Sequence, residues 1–571
     1  MLKGHPKGLV VAFFANMGER FGFYTMMGIL VFFLQAKYGL SGTHAGLIYS
    51  IFYFSIYGLS ILGGIIADHL TRKGKRGLGQ TITLGIVIMF LGYIFMTIPL
   101  NDKGTVGLVV SIVSLFIIAF GNGLFKGNLQ AMVGNLYEAP QYAHLRDRAF
   151  SLFYMGINIG AFFAPNAARG IRTWYLGTQG LKYDNAIPEL AHRYMNGEPI
   201  DVTKFQELAN EVTINQAAIT NLSEFSRNYI DAISTGFHYA FGVAGIAMLI
   251  SLAVYLGFKK FLRAGDLIIK SDDDKSIDED THGATVVKEM SGPQVRQRFI
   301  AMILVMLVVM FFWMSFHQNG LTLSLFARDY VVREVGPLTY MFFDLKSLLS
   351  FIAVVIGIVL VVQKSAKAMN RMLGGVLILA GGFLSFYFYS TYGTANQIEP
   401  ETFQHFNPIF IVFLTPVVVG FFAWLYKRGK EPSTPRKIGI GMILAAVGFL
   451  VMVIGSRNLI APSEIATAAS YDRVSPYFLI NTYLILTIAE LFLSPMGISF
   501  FSKVAPPKFK GLAQGMWLGA TALGNLLLFV GTELWERVEL WQVWAVFVTC
   551  CILSAIFIFS IMKKLERATS D

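Results

Sequence analysis

Fourteen stretches of predominantly apolar residues run through this chain, and no other feature narrows its fold as far. A helix needs about 20 residues to cross the hydrocarbon core of a bilayer. In that medium each backbone N–H and C=O must be satisfied within its own segment, so repeated stretches of this length imply a helical bundle that spans a membrane. They lie near 8–36, 44–70, 77–100, 105–134, 149–172 and 234–262, then near 297–326, 342–363, 371–391, 405–427, 436–456, 474–502, 510–532 and 539–562. The expected fold class is therefore an all-α polytopic membrane protein with 14 transmembrane helices.

Composition agrees: 55% of the 571 residues are hydrophobic and only 14% are charged, too apolar for a soluble domain. The net charge of +11 could suggest a nucleic-acid partner, but the basic residues form no patch. They sit in short connections, on alternate sides of the apolar stretches, as the positive-inside bias describes. Lys3 and Lys7, Arg72 to Arg76, Arg146 and Arg148, Lys259 to Arg263, Lys364 to Arg371, Lys427 to Lys437, Lys503 to Lys510 and Lys563 to Arg567 all fall on one side. That side is expected to be cytoplasmic and to carry both termini, in a cell (inner) membrane. Cys550 and Cys551 are adjacent and offer neither a disulfide framework nor metal-ligand spacing. No glycine-rich phosphate loop feeds a helix, so neither a nucleotide cofactor nor ATP-driven pumping is expected. No cleavable leader is expected either, because the first apolar stretch is too long for a signal core.

Three segments interrupt the regular alternation. Residues 173–233, on the opposite side, are mixed in charge and are expected to form small helices, as a lid or spacer. Residues 264–298 include a run of aspartates and read as a solvated cytoplasmic linker between an N-terminal bundle, 1–263, and a C-terminal bundle, 299–571. The pair of stretches in 342–391 exceeds a six-plus-six arrangement and reads as an inserted peripheral hairpin. Its Gly374, Gly375, Gly381 and Gly382 suggest close helix packing.

Charged residues within the apolar stretches point to function, because each is costly in lipid unless it faces protein or water. The first stretch holds Asn16-Met-Gly-Glu19-Arg20-Phe-Gly-Phe-Tyr24. Asn16, Arg20 and Tyr24 share one helical face, and Glu19, about 100° round, can neutralise Arg20. In the fourth, Asn122, Lys126 and Gln130 share a face, and a buried lysine needs an anionic partner. The fifth places Tyr154 one turn before Asn158. The seventh holds Trp313, His317 and Gln318, the tenth opens on Asn407-Pro408, the twelfth holds Glu490 and Ser494, and the thirteenth holds Trp517 and Asn525. At the end of the second stretch, Gly63-Gly64-Ile-Ile-Ala-Asp68 with Arg72 can latch helices at the cytoplasmic face. The plain alternative for each is a satisfied packing residue or, at Asp68 and Arg72, simple positive-inside charge.

The Glu-Arg-Phe element, Phe153-Tyr-Met-Gly-Ile-Asn158, Pro432-Ser-Thr-Pro435 and Glu490-Leu-Phe-Leu-Ser-Pro-Met-Gly497, in that order, resemble the proton-dependent oligopeptide transporter family of the major facilitator superfamily. The resemblance covers nearly the whole membrane part. It implies a major facilitator fold of two six-helix bundles plus the inserted hairpin, and a function that is not enzymatic: secondary active import of di- and tripeptides with protons, by alternating access, in a monomer. It further implies that Arg20, Lys126 and Asn158 hold the peptide carboxylate and that Glu490 with Asn407 holds the ammonium. Tyr24, Tyr57, Trp313, Trp517 and Ser494 would line side-chain pockets, with His317 and Gln318 among the site residues. Glu19, His317 and Glu490 would carry protons, and Asp68 and Arg72 would form a gate.

The chain departs from the family pattern in ways that bear on coupling. Asn16 stands where a glutamate is usual, His317 where an acid is usual, Phe23 where a tyrosine is usual, and Gly127 where a proline follows the lysine. An amide carries no proton at physiological pH, whereas an imidazole titrates near neutrality. A differently coupled carrier of another small zwitterionic or anionic solute is the first alternative. A receptor or membrane enzyme is the second, weakened by the absence of a nucleophile–base pair in these stretches.

Overall fold

In a computed structural model the chain is almost entirely helical. The structure describes residues 4–73, 75–100, 102–137, 140–143, 146–214, 219–266, 292–363, 368–465, 468, 470–506 and 510–570. The acidic run of the linker and the basic residues Lys364, Lys367 and Lys508 lie outside them, as do the side chains of Asp68 and Arg72.

The membrane helices are α1 (Lys7–Tyr38), α2 (Gly42–Arg72), α3 (Gly77–Thr97), α4 (Thr105–Leu136) and α5 (Arg146–Thr178). Two short helices, α6 (Ile187–Met195) and α7 (Val202–Val212), precede the long α8 (Leu222–Phe258). Then come α9 (Gly292–Phe316), α10 (Thr322–Tyr330), α11 (Leu345–Val362), α12 (Ala368–Thr391), α13 (Phe406–Lys427), α14 (Thr434–Gly455), α15 (Pro476–Val504), α16 (Lys510–Leu526), α17 (Phe529–Trp535) and α18 (Leu540–Ser560). Among the described residues, thirteen helical stretches are long and apolar enough to cross a membrane. The fourteenth expected span is α5, a 33-residue helix. It carries Asn158, Asn166, Arg169 and Arg172 among its apolar residues, with Asn158 and Arg172 buried.

Two expected spans are not continuous. The stretch 297–326 breaks into α9, a 3-10 turn His317–Gly320, and α10. The stretch 510–532 breaks between α16 and α17. Apolarity sets the length of a span but does not report where its hydrogen-bond ladder is interrupted. That depends on partners such as Gln318, which reaches across to the α16–α17 break.

Helix packing sorts into two groups. In one, α1 lies against α5 and α8, α2 against α4, and α3 against α4 and α8. In the other, α14 lies against α15 and α18, α9 against α16 and α18, and α13 against α15. The groups meet where α2 packs on α16 and α17 and where α5 packs on α13 and the 3-10 turn Pro400–His405. Glycines set several crossings. A Cβ on Gly63 would lie 2.2 Å from the Gly123 carbonyl oxygen, whereas Gly64 faces open space. Gly39, at φ +63°, ends α1 in the left-handed region and donates its N–H to the Gln35 carbonyl.

The inserted pair α11–α12 packs chiefly on itself. Gly357, Gly374 and Gly381 bring its two backbones together, while Gly375 and Gly382 have nothing within 4 Å. The close packing expected of the four glycines thus comes from alternate members, on the one face of α12 that meets α11.

Candidate functional site

The first group contributes cations. Arg20 donates from Nε and Nη2 to the two oxygens of Glu19, both at 2.6 Å, in a bidentate pair whose side chains are 2% and 1% exposed. The pair is possible between neighbours because long side chains 100° apart can swing to meet, and burial makes the meeting obligatory. Asn122 from α4 donates to the same carboxylate at 2.5 Å. The Arg20 guanidinium also lies over the Phe23 ring, 4.5 Å from its centroid.

Lys126, one helical turn beyond Asn122, is left differently. Its ammonium sits 3.7 Å from the centroid of Tyr57. No carboxylate among the described residues lies within ion-pair distance of it. Asn158 is buried and donates to the Tyr154 carbonyl at 3.1 Å. Asn16 is buried with its Nδ2 unpartnered.

The second group contributes an anion. Glu490 on α15 is buried, and its Oε2 accepts from Asn407 of α13 at 2.9 Å. Asn407 also donates to Thr487 Oγ1 at 3.0 Å. No cation among the described residues pairs with Glu490. Ser494 lies one turn further along the same helix, half-buried.

Aromatic rings line the meeting of the groups. His317 stacks on Trp313 at 4.7 Å and lies 4.7 Å from Tyr53 of the first group. Its Nδ1 donates to Asn525 Oδ1 at 2.5 Å, and this bond fixes the proton on Nδ1. Trp313 and Trp517 meet edge to face at 6.4 Å, and the Trp313 Nε1 is buried without a partner. Trp517 rests on Gly497, where a Cβ would fall 2.1 Å from the ring. Tyr24 packs partly buried beside Phe23, at 5.1 Å between ring centroids.

Gln318, named among the site residues from the sequence, is otherwise engaged. Its Nε2 donates to the Met314 and Leu528 carbonyls, each at 3.1 Å, and its Oε1 accepts from Thr322 at 2.6 Å. With nothing exposed, it ties the break in the α9–α10 span to the α16–α17 break.

Sequence reasoning gave no site role to Asn122, Tyr53, Thr487 or Asn525. Asn122 and Asn525 carried a signal, as amides in apolar stretches. Tyr53 and Thr487 carried none, because a tyrosine or threonine is ordinary at membrane depth. Among the described residues, Lys126 on the first group and Glu490 on the second are thus charges of opposite sign without an ion partner.

The POT family model (PTR2) matches residues 79–270 and 390–540. The peptide transporter YePEPT of Yersinia enterocolitica is 27% identical over 546 residues, covering 92% of this chain and 86% of that protein. Dipeptide and tripeptide permease B of Xenorhabdus bovienii is 24% identical over 532 residues, covering 91% and 86%. The crystal structure of a POT family transporter in complex with 5-aminolevulinic acid superposes with a TM-score of 0.65 at 21% identity, covering 99% and 98% of the two chains. The match spans both helix groups and the segments that carry Lys126, Asn158, Asn407 and Glu490, so this chain belongs to the POT family of membrane transporters and is not an enzyme.

Proposed function

We propose that the chain imports di- and tripeptides together with protons by alternating access. The observation that carries this reading is the pair of opposite charges left without partners on different helix groups. Among the described residues, Lys126 lies over the face of Tyr57 with no ion partner, and Glu490 accepts from the amide of Asn407 with no cation beside it. A short peptide is a zwitterion, with a carboxylate for the Lys126 side and an ammonium for the Glu490 side. Buried charges repay desolvation only in good geometry, so the separation of the two charges also selects ligand length. The names of the relatives, a peptide transporter and a dipeptide and tripeptide permease, support the same substrate class.

In this reading Arg20, Lys126 and Asn158 receive the carboxylate, and Glu490 with Asn407 receives the ammonium. Tyr24, Tyr57, Trp313, Trp517 and Ser494 form walls whose apolar area accepts varied side chains. Glu19, His317 and Glu490 are the proton-coupling groups. Two bundles, 1–263 and 299–571, rock about the site in a monomer. The distribution of Lys and Arg supports placing both termini and the linker 264–298 in the cytoplasm, in a cell (inner) membrane. Asp68 and Arg72 form a gate at that face. One charge crossing 100 mV is worth about 2.3 kcal/mol, or roughly fiftyfold accumulation at about 1.4 kcal/mol per decade.

The test is uptake of labelled dialanine into proteoliposomes with and without an inward proton gradient. Gradient-dependent accumulation is expected. A second reading, a differently coupled carrier, draws on Asn16, whose buried Nδ2 has no partner where the family pattern has an acid. Equal uptake after collapse of the gradient would favour it. Failure of any peptide to compete, with another zwitterion competing, would overturn the peptide reading.

A further inference from the structure

The inserted hairpin α11–α12 leaves the second helix group and returns to it at one place. Just before it lies the strand β1 (Glu334–Val335), and just after it β2 (Asn396–Gln397). The strands pair antiparallel, Glu334 opposite Gln397 and Val335 opposite Asn396, and the Ile398 N–H donates to the Arg333 carbonyl at 2.9 Å. The Tyr392 hydroxyl donates to Asp344 Oδ2 at 2.7 Å, and the His405 Nε2 bonds the Phe342 carbonyl at 3.0 Å. The base of the hairpin is therefore a cross-tied knot rather than a pair of loose connections.

That knot is held by the first helix group at two points. Arg172 of α5 donates to Glu399 and to Glu401, with Arg172 and Glu401 fully buried. Arg169, one turn away, lies 3.7 Å from Glu399 and donates to the Tyr340 hydroxyl at 3.3 Å. The second point is Arg333, whose Nη1 donates at 2.5 Å to Asp184 in the segment before α6. Nearby, Asn185 donates to the Arg328 carbonyl at 3.4 Å, and Lys204 of α7 to the Ala468 carbonyl at 2.9 Å.

These bonds lie at the end of the molecule that carries α6 and α7, opposite the termini. Among the described residues, further side-chain bonds that join the two helix groups lie at the same end, from Gln35 and Glu189 to Arg328 and from Thr43 to Glu536. Closure there is not a continuous apolar seal. A cavity of about 360 Å³ persists between α1, α6 and α10, bordered by Gln35, Glu189, His192, Arg328 and Glu536. Discrete charged pairs beside this open pocket, rather than an apolar seal, join the groups at this end, and pairs of that kind have two states, made and broken.

We propose that Arg172 with Glu399 and Glu401, and Asp184 with Arg333, form a two-point latch that closes the end opposite the termini. The clasped base of the inserted hairpin is its second-group side. The hairpin, whose helices lie outside the central site, thereby acts as a positioning element for the gate, and residues 184–204 supply a strap from the other side. The proposal rests on the alternating-access reading but not on the identity of the cargo.

The test is hydrogen–deuterium exchange of the full chain in lipid nanodiscs, without ligand, on Arg172→Gln, Asp184→Ala and the charge-exchanged pair Asp184→Arg with Arg333→Asp. Opening the latch is expected to raise exchange at 36–46 and 322–336 at least twofold. It should also lower exchange at 126–137 and 497–504, at the far end, as the molecule shifts towards the opposite-facing state. The charge-exchanged pair is expected to restore the parental pattern. Increased exchange near the substitution with none of the distant protection would overturn the latch and leave a local packing role. If Arg172→Gln does not fold, Asp184→Ala, at a partly exposed pair, decides alone. Asp344→Ala, which leaves the Tyr392 hydroxyl only its bond to Ser347 and removes the N-cap of α11 at the hairpin base, is expected to give the same two-ended pattern at smaller amplitude. A parental pattern there would remove the hairpin from the device. The distant protection without any dialanine uptake would leave the latch standing and remove the peptide reading.

Discussion

Replacing Arg20 by alanine separates what the Glu19–Arg20 pair does for the fold from what it does for transport. The pair is bidentate at 2.6 Å and at most 2% exposed, so removing the guanidinium strands a buried carboxylate whose remaining donor is Asn122. Breaking a buried pair in this way costs about 3–5 kcal/mol, whereas replacing both members by neutral residues of similar size is often close to neutral. Arg20→Ala is therefore expected to lower the thermal midpoint of the purified protein by roughly 5 °C, at about 2 °C or less per kcal/mol in a chain of this size. Glu19→Gln combined with Arg20→Met, which keeps the volume and removes both charges, should recover most of that loss. Uptake should behave differently and fall to background in both variants, because one of the two cations proposed to receive the peptide carboxylate is absent in each. Thermal unfolding in detergent and dialanine uptake in proteoliposomes measure the two quantities separately. Normal uptake by the double variant would refute the reasoning, since the pair would then be purely structural.

Three further outcomes are expected. Glu490→Gln keeps the bond to Asn407 but removes the charge opposite a peptide ammonium. A charge-assisted hydrogen bond worth about 1.5–3 kcal/mol corresponds to a KM raised about ten- to a hundredfold, and concentration-dependent uptake reads it; an unchanged KM would move the ammonium site elsewhere. Asn16→Glu places a titratable group where the buried amide nitrogen has no partner, so the pH profile of uptake should shift, and an identical profile would make Asn16 incidental to coupling. Gln318→Leu cuts three hydrogen bonds at a fully buried position, so the thermal midpoint should drop while KM for dialanine stays within about twofold, since Gln318 ties helix breaks together; a large KM change with normal stability would return it to the ligand site.

Much of the site was legible because membrane depth makes charge informative. Glu19, Arg20, Lys126 and Glu490 stand out in apolar stretches, and segments far apart in the chain do meet, as Asn407 meets Glu490 at 2.9 Å. Gln318 shows the limit. An amide in an apolar helix signals a polar partner but not which one, and here the partners are backbone groups at two helix breaks. Tyr53 shows the converse: its ring centroid lies 4.7 Å from that of His317, yet tyrosine is too common at this depth to be singled out. The glycines of α12 divide in the same way, with Gly374 and Gly381 at a backbone crossing and Gly375 and Gly382 facing away. Composition alone does not distinguish the two faces.

By itself, the sequence determined the number and placement of the membrane helices, the residues at membrane depth that need a partner, and the family. Those properties are local or additive: a run of apolar residues is long enough to span or it is not, and a charge within it is costly whatever surrounds it. Only the tertiary structure decided which charges pair with one another and which have no ion partner among the described residues. Glu19 and Arg20 satisfy each other, while Lys126 and Glu490 stand apart on two helix groups. It also decided that Arg172, a residue given no role beforehand, is buried against Glu399 and Glu401 across some 230 residues of chain. Pairing is a property of distance in space, and the order of residues along a chain does not specify which distant carboxylate a buried guanidinium will meet.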